Sequence, residues 1–135
     1  MNALETAIYD KLRTGTALTA LLGGTTSIYN QTVPASETGG CVVYTLSGGG
    51  DDNLCPSRSR SVLYDIKAVS ATSPAAAGLI DAQIDARLHR ATLTVTGWQN
   101  ILLRREGDFA YTETTPEGAR WYHNGGRYRI RLWQS

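Results

Sequence analysis

The residues able to do chemistry in this sequence stand in patterns that each lack a part. Gly48-Gly49-Gly50-Asp51-Asp52 follows an apolar run, as a phosphate cradle would. A P-loop, however, needs a Gly-Lys-Ser/Thr that opens a helix, and here Cys55-Pro56-Ser57-Arg58 leads into a second apolar run. Asp51 and Asp52 offer oxygen donors for a divalent ion, but no ligand-rich twelve-residue loop surrounds them. Nucleophilic catalysis needs a Ser or Cys on a strained turn and a His held by an acid, and no Gly-x-Ser-x-Gly elbow occurs. His89 ends a helical pattern, where an imidazole meets terminal carbonyls, and His123 precedes Asn124-Gly125-Gly126, which reads as a turn tying two strands. Neither histidine has a neighbour at metal-ligand spacing. The sequence therefore nominates no catalytic residue, no metal site and no cofactor.

The pattern with the most to explain is Arg127, Arg129 and Arg131, which alternate with Tyr128, Ile130 and Leu132. On a strand this puts three like charges on one face, and they repel unless acids answer them. Within the chain those acids are expected to be Glu106 or Asp108, with Glu113 or Glu117, on neighbouring strands. The alternatives are a subunit interface or a nucleic-acid-lined channel, where guanidinium forks meet carboxylates or phosphates. With Asp51, Asp52, Arg58 and Arg60 of the polar segment, these arginines are the candidate interaction residues.

The elements that must position them read as follows. Asn2 and Glu5 resemble a capping box ahead of Leu4, Ile8 and Leu12, and Gly15 supplies a stop. Thr16 can cap a further turn or two through Leu18, Leu21 and Leu22, so the two pieces form a bent helical hairpin. Ile28-Tyr29 is briefly extended, and residues 42–46 form a buried strand rich in β-branched and aromatic residues. Ser47 to Arg60, with three glycines and almost no apolar content, reads as a flexible loop. Residues 62–69 alternate as a half-buried strand. Ser73 then caps a helix with Pro74 at its first position, whose apolar stripe is Ala77, Ile80, Ile84 and Leu88, with Asp81, Asp85 and Arg87 on the other side. Two or three strands fit residues 101–122, with a turn at 114–118, and a last strand covers 127–133. The order implies a single α+β domain over residues 1–135, a mostly antiparallel sheet with helices on one face.

Composition agrees. The chain has 135 residues with 41% hydrophobic and 19% charged, enough apolar material for one core, and 13 basic against 12 acidic residues give no reason to invoke nucleic acid. No run approaches the length of a membrane span, and Glu5 and Asp10 argue against a signal peptide. Two cysteines, Cys41 in an apolar run and Cys55 in the polar segment, read as free thiols in a reducing compartment.

The order of these features resembles the tail completion, or tail terminator, family of long-tailed bacteriophages. The resemblance lies in Leu4, Ile8-Tyr9 and Leu12, then Leu21-Leu22-Gly23, Ile28-Tyr29, Val42-Val43-Tyr44 and Ser47-Gly48, the Ala-rich helix from Ala75 to Leu88, and Tyr128-Arg129-Ile130 before Trp133. It implies a non-enzymatic virion protein, made in the bacterial cytoplasm, that caps the tail tube as a homo-hexameric ring and ends its polymerisation. The implied partners are other copies, the tail tube protein and a head connector or stopper protein, with DNA passing through without sequence-specific binding and no membrane. The chain departs from the family at Gly40-Cys41, where a proline usually precedes Val-Val-Tyr, and at Cys55. A neck head-tail connector and a small nucleic-acid-binding module are the alternatives.

Overall fold

In the computed structural model, which describes residues 2–37, 39–52 and 58–134, three helices and six strands follow one another. They are α1 (Asn2–Arg13), α2 (Thr16–Thr19), β1 (Ile28–Asn30), β2 (Cys41–Asp51), β3 (Ser59–Ser70), α3 (Pro74–Leu88), β4 (Thr94–Val95), β5 (Trp98–Thr114) and β6 (Arg120–Gln134). The strands make one curled sheet in the order β1-β2-β3-β6-β5-β4. Only β1 and β2 run parallel; every other pair is antiparallel. The fold is the α+β class that the sequence implies.

Period-two alternation decides which sheet face is buried. Val62, Tyr64, Ile66 and Ala68 of β3 lie with Tyr128, Ile130 and Leu132 of β6 and Val42 and Tyr44 of β2. Leu4, Ile8 and Leu12 of α1, Leu18 of α2 and Ile80, Ile84 and Leu88 of α3 close over them, so the helix phases are those of the sequence spacing. Ser73 caps α3 as expected, its Oγ accepting the Ala76 N–H at 3.0 Å. The N-terminal caps differ. Asn2 is already helical and Glu5 accepts from Asn30 Nδ2 at 2.6 Å, while α2 is capped by Gly15 without a side-chain bond. The far end of α1 is closed by α3 instead: Arg87 donates to the Lys11 carbonyl at 2.8 Å and to Thr14 Oγ1 at 2.7 Å.

Three expectations are corrected. The described parts of the segment 47–60 are mostly strand, since β2 continues to Asp51 and β3 begins at Ser59, with Gly48, Gly49, Gly50 and Asp51 opposite Leu63, Val62, Ser61 and Arg60. The glycines serve that ladder: the register shifts between Leu46 and Gly48, and Gly49 takes φ 94°, where a side chain would run into the backbone of Ser61 and Val62. Residues 53–57, with Cys55, lie outside the described residues. Second, His123-Asn124-Gly125-Gly126 is no turn but the middle of β6, and β5 and β6 are each one long strand. A Cβ at Gly125 would come within 2.6 Å of the Ile66 carbonyl oxygen and Lys67 Cα, and one at Gly126 would collide with the Arg105 guanidinium. These glycines permit close approach within a sheet.

Third, Asp81 does not face solvent. Arg105 of β5 reaches α3 and forms a two-pronged pair with Asp81, both contacts at 2.9 Å, with both side chains only 12% exposed. The same guanidinium donates to Tyr128 Oη at 3.2 Å and the Gly125 carbonyl at 2.9 Å, and Tyr128 in turn donates to Asp85 at 3.2 Å. Removing Asp81 strips the buried guanidinium of its two-pronged partner and leaves only the more exposed Asp108 and Asp85 to answer it, so Asp81→Ala is expected to cost about 3 kcal/mol by urea denaturation. Ile84→Ala, emptying a core position, is expected to cost about 2–5 kcal/mol. A parent-like midpoint in Asp81→Ala would show that the pair does not hold α3.

Candidate assembly face

The sheet face turned away from the helices divides into a charged half and an apolar half. Arg127, Arg129 and Arg131 lie on this face of β6, opposite Asp65, Leu63 and Ser61 of β3. Arg127 Nε meets Asp65 Oδ1 at 3.0 Å, and Arg129 Nε meets Glu106 Oε1 at 2.5 Å while its NH1 donates to Ser61 Oγ at 2.8 Å. Arg131 lies 3.4 Å from Asp52 Oδ2, which also accepts from Ser59 Oγ at 2.6 Å, and Arg58 pairs with Asp51 at 2.7 Å. Four of the seven candidate residues, Asp52, Arg127, Arg129 and Arg131, thus share this face, whereas Asp51, which holds Arg58, stands opposite Arg60 in the β2–β3 ladder. Arg60 in turn pairs in register with Leu132 on the helix side, and among the described residues its buried Nε has no hydrogen-bond partner.

Glu106 owes its place to a bulge. The β5–β6 register slips between Arg105 and Gly107, and the extra residue stands between Arg129 and Arg104, which it meets at 3.4 Å. The hydrogen bond from Arg129 holds its carboxyl below the ordinary carboxylate range. The Asp65 hydrogen bond likewise raises the Arg127 pKa. Of the acids expected to answer the arginines, Glu106 does so; Asp108 instead binds Arg105 at 2.5 Å and Glu113 lies 3.2 Å from His123. The other two partners are Asp65 and Asp52. Asp65 is signalled by its outward position in the β3 alternation, whereas Asp52 comes within reach only through the β2–β3 register.

The apolar half begins at Cys41, Val43 and Val69, against which Tyr29, Val33 and Trp121 pack. A hollow of about 240 Å³ lies there, lined by Val33, Pro34, Glu37, Trp121 and His123 among others. His123 stacks on Tyr111 with ring centres 4.3 Å apart, and Lys67 donates to Tyr111 Oη at 2.7 Å. Burial, helped by the Lys67 charge, lowers the His123 pKa against the opposing pull of Glu113. Burial, followed by the charge of Glu37, pushes the Cys41 thiol up to about 12, so it stays protonated; Cys41 is a free cysteine. His89 accepts the Arg105 N–H through Nδ1 at 3.1 Å rather than meeting helix carbonyls. Among the described residues no three His, Cys, Asp or Glu side chains converge to hold a metal, and no helix is long and apolar enough to cross a membrane.

One sheet face is closed by helices and the other is laced with paired charge. The chain belongs to the family Tail completion protein gp17, whose sequence profile matches residues 6–132, and is thus a phage tail structural protein. Its fold is similar to that of a chain in the virion of a native gene transfer agent (GTA) particle, with TM-score 0.75 and 20% identity over 98% of this chain and 96% of that one. A second solved chain matches with TM-score 0.58 and 14% identity, over 96% of this chain and 94% of the other. No curated protein sequence matches.

Two outcomes follow from this geometry. The folded His123 pKa lies below its ordinary 6.5, so its contribution to stability is complete above that value and is lost as pH falls through it toward the folded pKa. Between about pH 7.5 and about pH 5.5, the parent should lose more stability in urea than His123→Phe does, and equal losses would exclude His123 as the titrating group. Because Arg129 is paired within its own chain, Arg129→Glu should lower the monomer's stability by about 1 kcal/mol, more at low salt, as read by thermal melting. An unchanged melt would show that the pair carries no weight in the free subunit.

Proposed function

We propose that this protein caps the finished phage tail tube as a hexameric ring, ends tube polymerisation and presents the surface to which the head connector docks. The observation that carries this reading is membership of the tail completion family over residues 6–132. The likeness in fold to a chain of a gene transfer agent virion supports it. In this reading the protein resides in the virion at the tail–neck junction after synthesis in the host cytoplasm. DNA passes through the ring without sequence-specific contacts, and the protein does no catalysis.

The charged half suits a surface that must recognise without sticking. Its arginines are each answered by a carboxylate, so it offers a patterned field that fixes orientation and register rather than a bare cationic patch. The proposal takes the chain as a single domain, with Asp52, Arg127, Arg129 and Arg131 as parts of that surface and the Arg58–Asp51 pair at the end of the same strands. A nucleic-acid-binding module would leave such arginines unanswered for phosphates.

Negative-stain imaging and sedimentation of the purified protein, alone and with tail tubes, test the proposal. Six-fold rings seated on one end of each tube, with tube length no longer increasing, are the expected result. Rings that bind the portal side and ignore tubes would instead establish a neck connector, and a steep salt-dependent affinity for DNA would establish a nucleic-acid module.

A further inference from the structure

Among the described residues the sheet has two edges without a strand partner along part of their length, at opposite sides and in compatible directions. On one side β4 covers only Trp98 and Gln99 of β5. Beyond it the Leu103 carbonyl accepts the Arg90 N–H at 2.9 Å and the Arg105 N–H goes to His89 Nδ1, so the edge is closed through Arg105. Leu103 and Arg105 thus turn their backbone groups outward. Following the alternation across the bulge, where Arg105 faces Tyr128 and Gly107 faces Arg127, places the outward groups next at Asp108, Ala110 and Thr112. Among the described residues none of these three has a backbone partner on that side.

On the other side β1 covers only Val42 to Tyr44 of β2. The Val42 N–H donates to the Ser27 carbonyl at 3.0 Å and the Tyr44 carbonyl accepts from Gln31 N–H at 3.1 Å, which fixes the outward phase of β2. Continuing it across the register shift brings Leu46 and Gly49 outward, past the end of β1. Leu46 is 48% exposed, as is Tyr111 on β5. Neither residues 107–114 nor residues 45–50 contain a proline or a lysine, the residues that guard solitary edges.

We propose that the ring closes by strand addition: the outer edge of β5, residues 107–114, of one copy pairs antiparallel with the outer edge of β2, residues 45–50, of the next. Strands β2, β3, β6 and β5 alternate in direction, so a second copy placed beside β5 without being turned over continues that alternation. Such head-to-tail contact between two different patches is the kind that closes into a ring. Its stagger fits as well. Ala110 lies in the same row as Asn124, Ala68 and Val42, so pairing the middle of the β5 edge with the middle of the β2 edge displaces neighbours by about five ladder steps, or ~17 Å. Across the ~19 Å width of four strand spacings this tilts the strands by ~40°, within the range of about 35–45° at which sheets close on themselves. The inference rests on the ring reading above and names the contact that makes the ring.

Ala110→Pro tests it, because proline removes an N–H that the monomer does not use, and edge strands tolerate proline. The variant should melt within a few degrees of the parent while ring formation, read by sedimentation, weakens by at least about tenfold. Hydrogen exchange of the parent provides the second reading: amides of Asp108, Ala110 and Thr112 should exchange fast in the monomer and slowly in rings. Folded Ala110→Pro that still forms rings at parental concentration overturns strand addition. So do rings whose three amides exchange as fast as in the monomer, which leaves the ring reading standing. Protection of these amides only when tail tubes are added would assign the edge to the tube protein instead, and a parent that forms no ring with or without tubes would remove both proposals.

Discussion

Arg105 is the residue on which the helices, the core and the outer face all depend. Burial works against its charge, but the hydrogen bonds it donates to Asp81, Tyr128 and Asp108 more than offset this and hold the guanidinium protonated. Asp81 and Asp85 lie one turn apart on α3, so anchoring both to one side chain, directly and through Tyr128, sets the rotation of the helix about its axis. That rotation delivers Ile80, Ile84 and Leu88 to the core. The Arg105 N–H meanwhile binds His89 and closes the upper part of the β5 edge.

The bulge that follows Arg105 links this buried network to the surface. Slipping the register by one residue lets Arg105 stay on the helix side while Glu106 stands with the arginines on the other side. One local irregularity thus fills a buried charge site and neutralises an exposed one. Because these exposed pairs stabilise the monomer only weakly, their value lies in pattern: they hold the guanidinium groups in fixed positions in a subunit that has yet to meet its partners. The aromatic half of the face, with Trp121, His123 and Tyr111 in contact with Lys67 and Glu113, adds a surface whose histidine is kept neutral by burial.

The two long strands β5 and β6 do the remaining work. Their hairpin extends one edge of the sheet beyond the reach of β4, and the glycine-rich arm of β2 extends the other beyond β1. Among the described residues these lengths meet no strand partner, which is a liability for an isolated protein and an opportunity for one that assembles.

What the amino-acid order determined by itself is whatever depends on local periodicity. The apolar stripe of α3 with its Ser73 cap and Pro74, the alternation along β3 and β6, and the placement of Arg127, Arg129 and Arg131 on one face all follow from 3.6- and two-residue repeats, and the tail completion family was legible in their order. What only the tertiary structure decided is where glycine and charge go. Gly48 to Gly50 and Gly125-Gly126 have the composition of turns, yet they lie in strands, where at Gly49, Gly125 and Gly126 a neighbouring backbone or the Arg105 side chain occupies the space a Cβ would fill. Asp81 has the spacing of a solvated helix face, yet it is buried because a strand 24 residues further on supplies its counter-charge. Propensity and period are properties of a few adjacent residues, whereas pairing partners, register and bulges are fixed by contacts between segments distant in sequence.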